Sequence, residues 1–235
     1  MHSYRYILWD FDGTLAQRAG MWTGALLEVL QAAIPTSHVT KDDLRPFLVS
    51  GFRWHSPQVR HPPQISADGW WIELEPVFVR AFCQGAGLAS SQSHLLAKKV
   101  RHAFLNPASW SLFPDTLSAL ESLTARGWRH ILLTNHVPEL PQLLSPLGVD
   151  GSFAAIFNSA QTGVEKPHRA AFENVLSSLP PAARVWMVGD NPVADIQGAE
   201  AAGIPAILVR KPHESVQRYA ADLSALVAIV DEVPR

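Results

Sequence analysis

Ile7-Leu8-Trp9-Asp10-Phe11-Asp12-Gly13-Thr14-Leu15 decides how this chain is read. A short apolar run, of the kind a buried strand needs, stops at an aspartate. A second aspartate follows two residues later, and then a glycine that permits a tight turn. Carboxylates at i and i+2 just past a strand can aim at one small site. Neighbouring carboxylates repel, so the pair needs a cation or a proton between them. A hard cation with oxygen ligands fits, and Mg²⁺ fits best where phosphate oxygens complete its octahedron. Taken alone, the same residues also suit an Asp-Gly turn with solvated carboxylates.

Four further apolar runs extend the pattern: His130-Ile131-Leu132-Leu133, Ala154-Ala155-Ile156-Phe157, Val185-Trp186-Met187-Val188 and Ala206-Ile207-Leu208-Val209. The first, third and fourth end, in turn, at Thr134-Asn135, Gly189-Asp190 and Arg210. Helical periodicity lies between them, over Pro114–Arg126, His168–Ser178 and Asp195–Ala202. Strands alternating with helices predict an α/β fold, a Rossmann-like three-layer core with a mostly parallel sheet. Such sheets bind ligands at the carboxyl ends of their strands, where Asp10, Thr134 and Asp190 are expected to meet.

Residues 16–108 read differently. Helices are expected over Trp22–Ala33, Trp71–Gln84 and Ser90–Phe104, with a loop from Gly51 to Gly69 and no clear strand. The expected division is a core domain of residues 1–15 and 109–235 and a helical cap of residues 16–108. The insertion carries a net charge of +3 and the remainder −5, within the total of −2. A mildly basic insertion beside an acidic core suits an anionic substrate held by a cation.

Composition excludes several classes. Hydrophobic residues at 47% and charged residues at 17% allow a full core. Nineteen basic against 21 acidic residues argue against a nucleic-acid binder. No apolar run approaches the roughly 20 residues of a membrane helix. The N-terminus lacks the apolar stretch and cleavage site of a signal peptide. The single cysteine, Cys83, permits no internal disulfide, so a reducing, cytoplasmic setting is expected.

Asp10-Phe11-Asp12-Gly13-Thr14-Leu15 resembles the first motif of the haloacid dehalogenase-like (HAD) hydrolase superfamily. Leu132-Leu133-Thr134-Asn135 resembles the second, Glu165-Lys166-Pro167 the third, and Val188-Gly189-Asp190-Asn191-Pro192-Val193-Ala194-Asp195 the fourth. The motifs occur in family order over residues 10–195, and an insertion between the first and second matches the place of a helical cap. The resemblance implies a phosphatase-type hydrolase acting on a small phosphate monoester. Asp10 would be the nucleophile, forming an aspartyl-phosphate, and Asp12 the general acid and then base. Mg²⁺ would sit between Asp10, the Asp12 carbonyl, Asp190 and phosphate. Phe11, Thr134 and Asn135 would belong to the phosphate-binding set. Lys166 would neutralise charge and place Asp10, with Asp195 supporting the metal shell or the lysine. Narrow-sense dehalogenases generally lack the second aspartate, so Asp12 favours phosphoryl transfer. A phosphomutase using the same aspartates is the nearest alternative. A haloacid dehalogenase and a non-catalytic binding protein stand further off.

Other residues carry two readings each. Arg53 and Arg60 either clasp a second anionic group of the substrate or belong to a solvated loop. His136 either contacts substrate or begins the next helix. His55 and His61 lack the rest of a zinc ligand set. Trp70-Trp71 read as packing residues, Cys83 as a small core residue and Gly189 as room for a turn. The expected partner is a phosphorylated small molecule, with no nucleic acid and no membrane, in a monomer or homodimer.

Overall fold

Each of the five apolar runs becomes a strand of one parallel sheet. The computed structural model describes residues 4–62 and 66–230. Its strands are β1 (Arg5–Trp9), β2 (Ala16–Arg18), β3 (Trp110–Leu112), β4 (Trp128–Thr134), β5 (Phe153–Asn158), β6 (Arg184–Gly189), β7 (Ala206–Val209) and β8 (Tyr219–Ala220). Six of them form a sheet in the order β5-β4-β1-β6-β7-β8, flanked by helices. β1 pairs in parallel with β4 and with β6, Trp9 standing opposite both Leu132 and Val188. The chain adds strands on one side of β1 and then on the other. A crevice forms at such a reversal, outside the carboxyl ends of the strands.

Burial on both faces explains why β1, β4, β6 and β7 read as unbroken apolar runs rather than alternating ones. Ile7, Leu8 and Trp9 are fully buried. Leu8 joins Ile131, Met187 and Leu208 in the core on one face, packed under Phe172 and Val175 of the helix Arg169–Leu176. On the other, Trp9 Nε1 donates to His130 Nδ1 at 3.0 Å. His130 Nε2 then carries the proton and lies 3.1 Å from the Leu120 carbonyl. Burial lowers the His130 pKa, consistent with this neutral, structural role.

The chain divides into two units: Met1–Gln17, Pro57–Gln64 and Leu112–Arg235, and Arg18–Ser56 with Ile65–Ser111. Segment 57–62, expected in the insertion, thus falls with the core unit. There the His61 N–H donates to the Gly163 carbonyl at 2.9 Å. The helical unit contains Met21–Ala33, Ala67–Arg80, Ser90–Ala97 and Val100–Phe104. The expected helix over Ser90–Phe104 is broken near Lys98-Lys99, and the one over Trp71–Gln84 ends at Arg80 in a wide turn, Ala81–Gly85. Cys83 lies in that turn and is half-buried, not a core residue. Aromatic rings fill the interior of this unit: Trp22 stacks on Phe104 at 3.9 Å, and Trp70 and Trp71 are buried. The short strands β2 and β3 pair with one another, so the stretch is not wholly helical. Three residues are too few for a periodicity to register.

Leu8 sits at the centre of the sheet, where neighbours on both sides restrict collapse. Leu8→Ala is expected to cost about 2–5 kcal/mol of unfolding free energy, measured by urea denaturation with an unchanged m-value.

Candidate active site

The sheet register brings the first functional residues together. Asp10 continues β1 by one residue and still donates its N–H to the Val188 carbonyl at 3.0 Å. Thr134 ends β4, and Asp190 follows β6. Thr134 Oγ1 donates to Asp10 Oδ1 at 2.9 Å, and Lys166 Nζ donates to the same oxygen at 2.9 Å. Two donors on one oxygen fix the plane of the carboxylate. Lys166 Nζ also donates to Asp195 Oδ1 at 2.6 Å. Asp195 Oδ2 accepts from the Asn191 N–H at 3.0 Å, so both its oxygens are committed.

Lys166 is buried, and burial alone would lower its pKa. The charges of Asp10 and Asp195 more than offset that and hold the ammonium above the ordinary lysine range. Burial, reinforced by Asp10 and Asp195, pushes Asp190 up to about 7 despite the opposing pull of Lys166. Burial pushes Asp195 up to about 6, against Lys166. The 2.6 Å contact with a protonated lysine keeps Asp195 ionised in the pair.

These shifts record a charge imbalance. Oxygens of Asp10, Asp190 and Asp195 lie within 4.8 Å of one another. Three carboxylates with one ammonium leave two negative charges uncompensated, before Asp12 is counted. An all-oxygen set with that excess fits a hard divalent cation. Asp10 and Asp190 are the natural ligands, because the Asp195 oxygens are already engaged.

Two glycines make this approach possible. A Cβ on Gly13, whose φ is +79°, would lie 2.3 Å from Asp190 Oδ2. A Cβ on Gly189 would lie 2.1 Å from Asp195 Oδ2. The turn that holds Asp12 is closed by the Phe11 carbonyl, which accepts from the N–H groups of Thr14, Leu15 and Ala16. The Phe11 ring is buried edge-on against His136. His136 is itself buried, with Nε2 3.5 Å from Asp12 Oδ1, so it faces the site residue rather than starting a helix. The next helix begins at Leu140.

Asn135 does something that its motif does not announce. Its Nδ2 donates to the Lys166 carbonyl at 2.9 Å, while its Oδ1 accepts from the Lys166 N–H at 2.8 Å. This reciprocal pair ties the backbone of Lys166 to the end of β4. A side-chain amide offers a donor and an acceptor side by side, matched to the C=O and N–H of a single residue's backbone.

The two arginines fall in different units. Arg53 is buried in the helical unit, where Nε and Nη2 donate to Glu73 Oε2 at 2.9 and 2.7 Å. Arg53 therefore serves an internal ion pair and is not part of a solvated loop. Arg60 is exposed, in the core unit.

A family model described as haloacid dehalogenase-like hydrolase matches residues 4–203. The chain belongs to the haloacid dehalogenase-like hydrolases, with the Rossmann-like α/β core of that family. It is 25% identical over 233 residues to haloacid dehalogenase-like hydrolase domain-containing protein 3 of Danio rerio, covering 98% of this chain and 95% of that protein. It is 33% identical over 151 residues to a phosphoserine phosphatase of Thermus thermophilus, covering 63% of this chain and 59% of that one. Among solved structures, the putative HAD-hydrolase YfnB from Bacillus subtilis, bound to magnesium, has the same fold. The TM-score is 0.75 at 20% identity, over 98% of this chain and 100% of that one. Among the described residues, no helix is long and apolar enough to cross a membrane.

The raised carboxyl pKa values carry a sign. A carboxyl whose pKa rises on folding holds its proton more tightly when folded, so stability falls as pH climbs through the raised value. For Asp190 the window runs from 3.8 to about 7. Metal-free protein is therefore expected to lose Tm across that range more steeply than Asp190→Asn. Millimolar Mg²⁺ should raise Tm at pH 8 and have little effect at pH 5. Thermal melts with Mg²⁺ or EDTA check this. A Mg²⁺ shift that survives in Asp190→Asn would place the cation elsewhere.

Proposed function

We propose that this chain is a Mg²⁺-dependent phosphatase that hydrolyses a small-molecule phosphate monoester through an aspartyl-phosphate on Asp10. The observation that carries the reading is the meeting of Asp10, Asp190 and Asp195 with Lys166 and Thr134 at the carboxyl end of the sheet. The names of similar proteins, a phosphoserine phosphatase and a glyceraldehyde 3-phosphate phosphatase among them, support phosphate monoesters as the substrate class.

The chemistry follows from the groups present. A carboxylate nucleophile such as Asp10 needs no base to activate it. The bonds to Oδ1 orient Oδ2, which attacks phosphorus as the ester oxygen departs. Asp12 delivers a proton to that oxygen, so the alcohol leaves neutral. A water then attacks the phosphorus of the acyl phosphate, Asp12 takes its proton, and inorganic phosphate and free Asp10 result. Thr134 and the Asn135 N–H hold non-bridging oxygens, while Lys166 offsets the charge that builds on them. When bound, Mg²⁺ held by Asp10, Asp190 and the Asp12 carbonyl supplies further neutralisation of the phosphoryl oxygens. Asp195 keeps Lys166 in place. Arg60, exposed, is a better candidate for a second anionic group than Arg53, which Glu73 already holds.

Phosphate release from a panel of phosphorylated metabolites tests the reading. Turnover is expected with Mg²⁺, none with EDTA, and at least about 10³-fold less in Asp10→Asn. Asp12→Asn should lose about 10²–10⁴-fold on alkyl esters, the range for a general acid. No release from any ester by folded, Mg²⁺-loaded protein overturns the proposal.

A further inference from the structure

Arg210 follows the β7 strand and has no part in the four motifs, yet it reaches back to the first of them. Its Nε and Nη2 both donate to the Thr14 carbonyl, at 3.2 and 2.7 Å. Its Nη1 and Nη2 form a fork onto Asp115, at 2.8 and 2.9 Å. The guanidinium carbon lies 3.9 Å from the centroid of the Phe113 ring. A planar fork with five N–H donors can hold a carbonyl and grip a carboxylate through two parallel bonds at once; an ammonium, a compact charge with three donors, lacks that fixed bidentate geometry.

Two features show that this arrangement is enforced. Arg210 has φ +72°, a left-handed conformation that only glycine adopts freely. Asp115 stands at the N-cap of the helix Thr116–Ala125 but makes no side-chain cap bond to it. An aspartate there ordinarily caps its own helix. Instead Asp115 Oδ2 accepts from the Leu223 N–H at 2.7 Å, and its oxygens face Arg210. Burial would raise the Asp115 pKa, but the bonds from Arg210 and Leu223 bring it below its ordinary value. The next carbonyl of the turn, Leu15, accepts from Thr116 Oγ1 at 2.7 Å and the Phe113 N–H at 3.0 Å.

We infer that Arg210, backed by Asp115 and Phe113, is a positioning residue that clamps the Asp12–Leu15 turn through the Thr14 carbonyl and so sets where the Asp12 carboxyl stands. A side chain two residues from that carbonyl on a tight turn moves with it. The catalytic arm of the inference rests on the phosphatase reading above; the structural arm does not.

The test uses aryl phosphates of different leaving-group strength and amide hydrogen exchange. 4-Nitrophenolate leaves without a proton, whereas phenolate depends more on a well-placed acid. Arg210→Gly suits the φ of +72° and removes the side chain without straining the backbone; Arg210→Lys keeps the charge without the fork. In both, kcat/KM should fall at least tenfold further for phenyl phosphate than for 4-nitrophenyl phosphate. Exchange should rise over residues 12–16 and remain as in the wild type over β4 and β6. An equal loss on the two esters, or unchanged exchange over residues 12–16, overturns the inference. If the wild type hydrolyses neither aryl ester, the metabolite panel above alone decides the phosphatase reading, and the exchange result alone decides whether Arg210 holds the turn.

Discussion

The site depends on one buried ammonium. Lys166 sits between Asp10 and Asp195, residues that follow different strands and would otherwise repel. Breaking a buried pair of this kind costs about 3–5 kcal/mol, because the partner left behind is a charge without a counter-charge. The lysine therefore acts as both a structural pin and an electrostatic device. The backbone that carries it is fixed separately by Asn135, so its position does not rely on the ion pairs alone. Fixing the charge before a substrate arrives is what electrostatic catalysis requires, since a group that must reorganise stabilises a transition state less.

The same lysine does not neutralise the site. Asp190 lies beyond its reach as a hydrogen-bond partner and carries the larger of the two carboxylate shifts. An evolved structural core would not keep such a group beside other acids without a compensating charge. The excess thus separates a site built to receive a cation from an ion-pair network that is complete in itself. The two glycines give the same message in steric form. Gly13 and Gly189 each lie too close to an aspartate oxygen to tolerate a Cβ. The loops after β1 and β6 have been brought nearer to one another than ordinary side chains would permit.

Much of this was legible in the sequence, for physical reasons that can be stated. β1, β4, β6 and β7 are buried on both faces, and a doubly buried strand writes itself as an unbroken apolar run; β5, at the sheet edge, is only half-buried and reads as apolar all the same. Asp10, Thr134 and Asp190 stand at the ends of such runs, and topology alone brings strand ends together. The misses have reasons too. β2, β3 and β8 are two or three residues long and carry no periodicity. The continuous helix expected over Ser90–Phe104 is broken where two lysines follow Ala97, although no residue there forbids a helix. Segment 57–62 lies within the insertion by position, whereas its backbone bonds to Gly163, about a hundred residues away in the chain.

Arginines carry no local mark of what they bind, and the reason is general. An arginine that grips a ligand and one that grips its own protein share a composition and a charge. Arg18 and Arg53 are buried, and each meets a half-exposed glutamate of the helical unit, Glu28 and Glu73. Arg210 grips a backbone carbonyl and an aspartate nearly a hundred residues earlier. Such partners are set by tertiary contact, so no local pattern marks them. What the sequence does preserve is the anomaly around the contact: the fifth apolar run, which becomes β7, ends at a cation, Arg210, where Asp10, Thr134 and Asp190 end the runs at the site. In a crevice rich in carboxylates, a cation placed at a strand end has two uses, to meet the substrate or to hold the loop that does. The bonds of Arg210 to Thr14 and Asp115 occupy both edges of its fork, which favours the second.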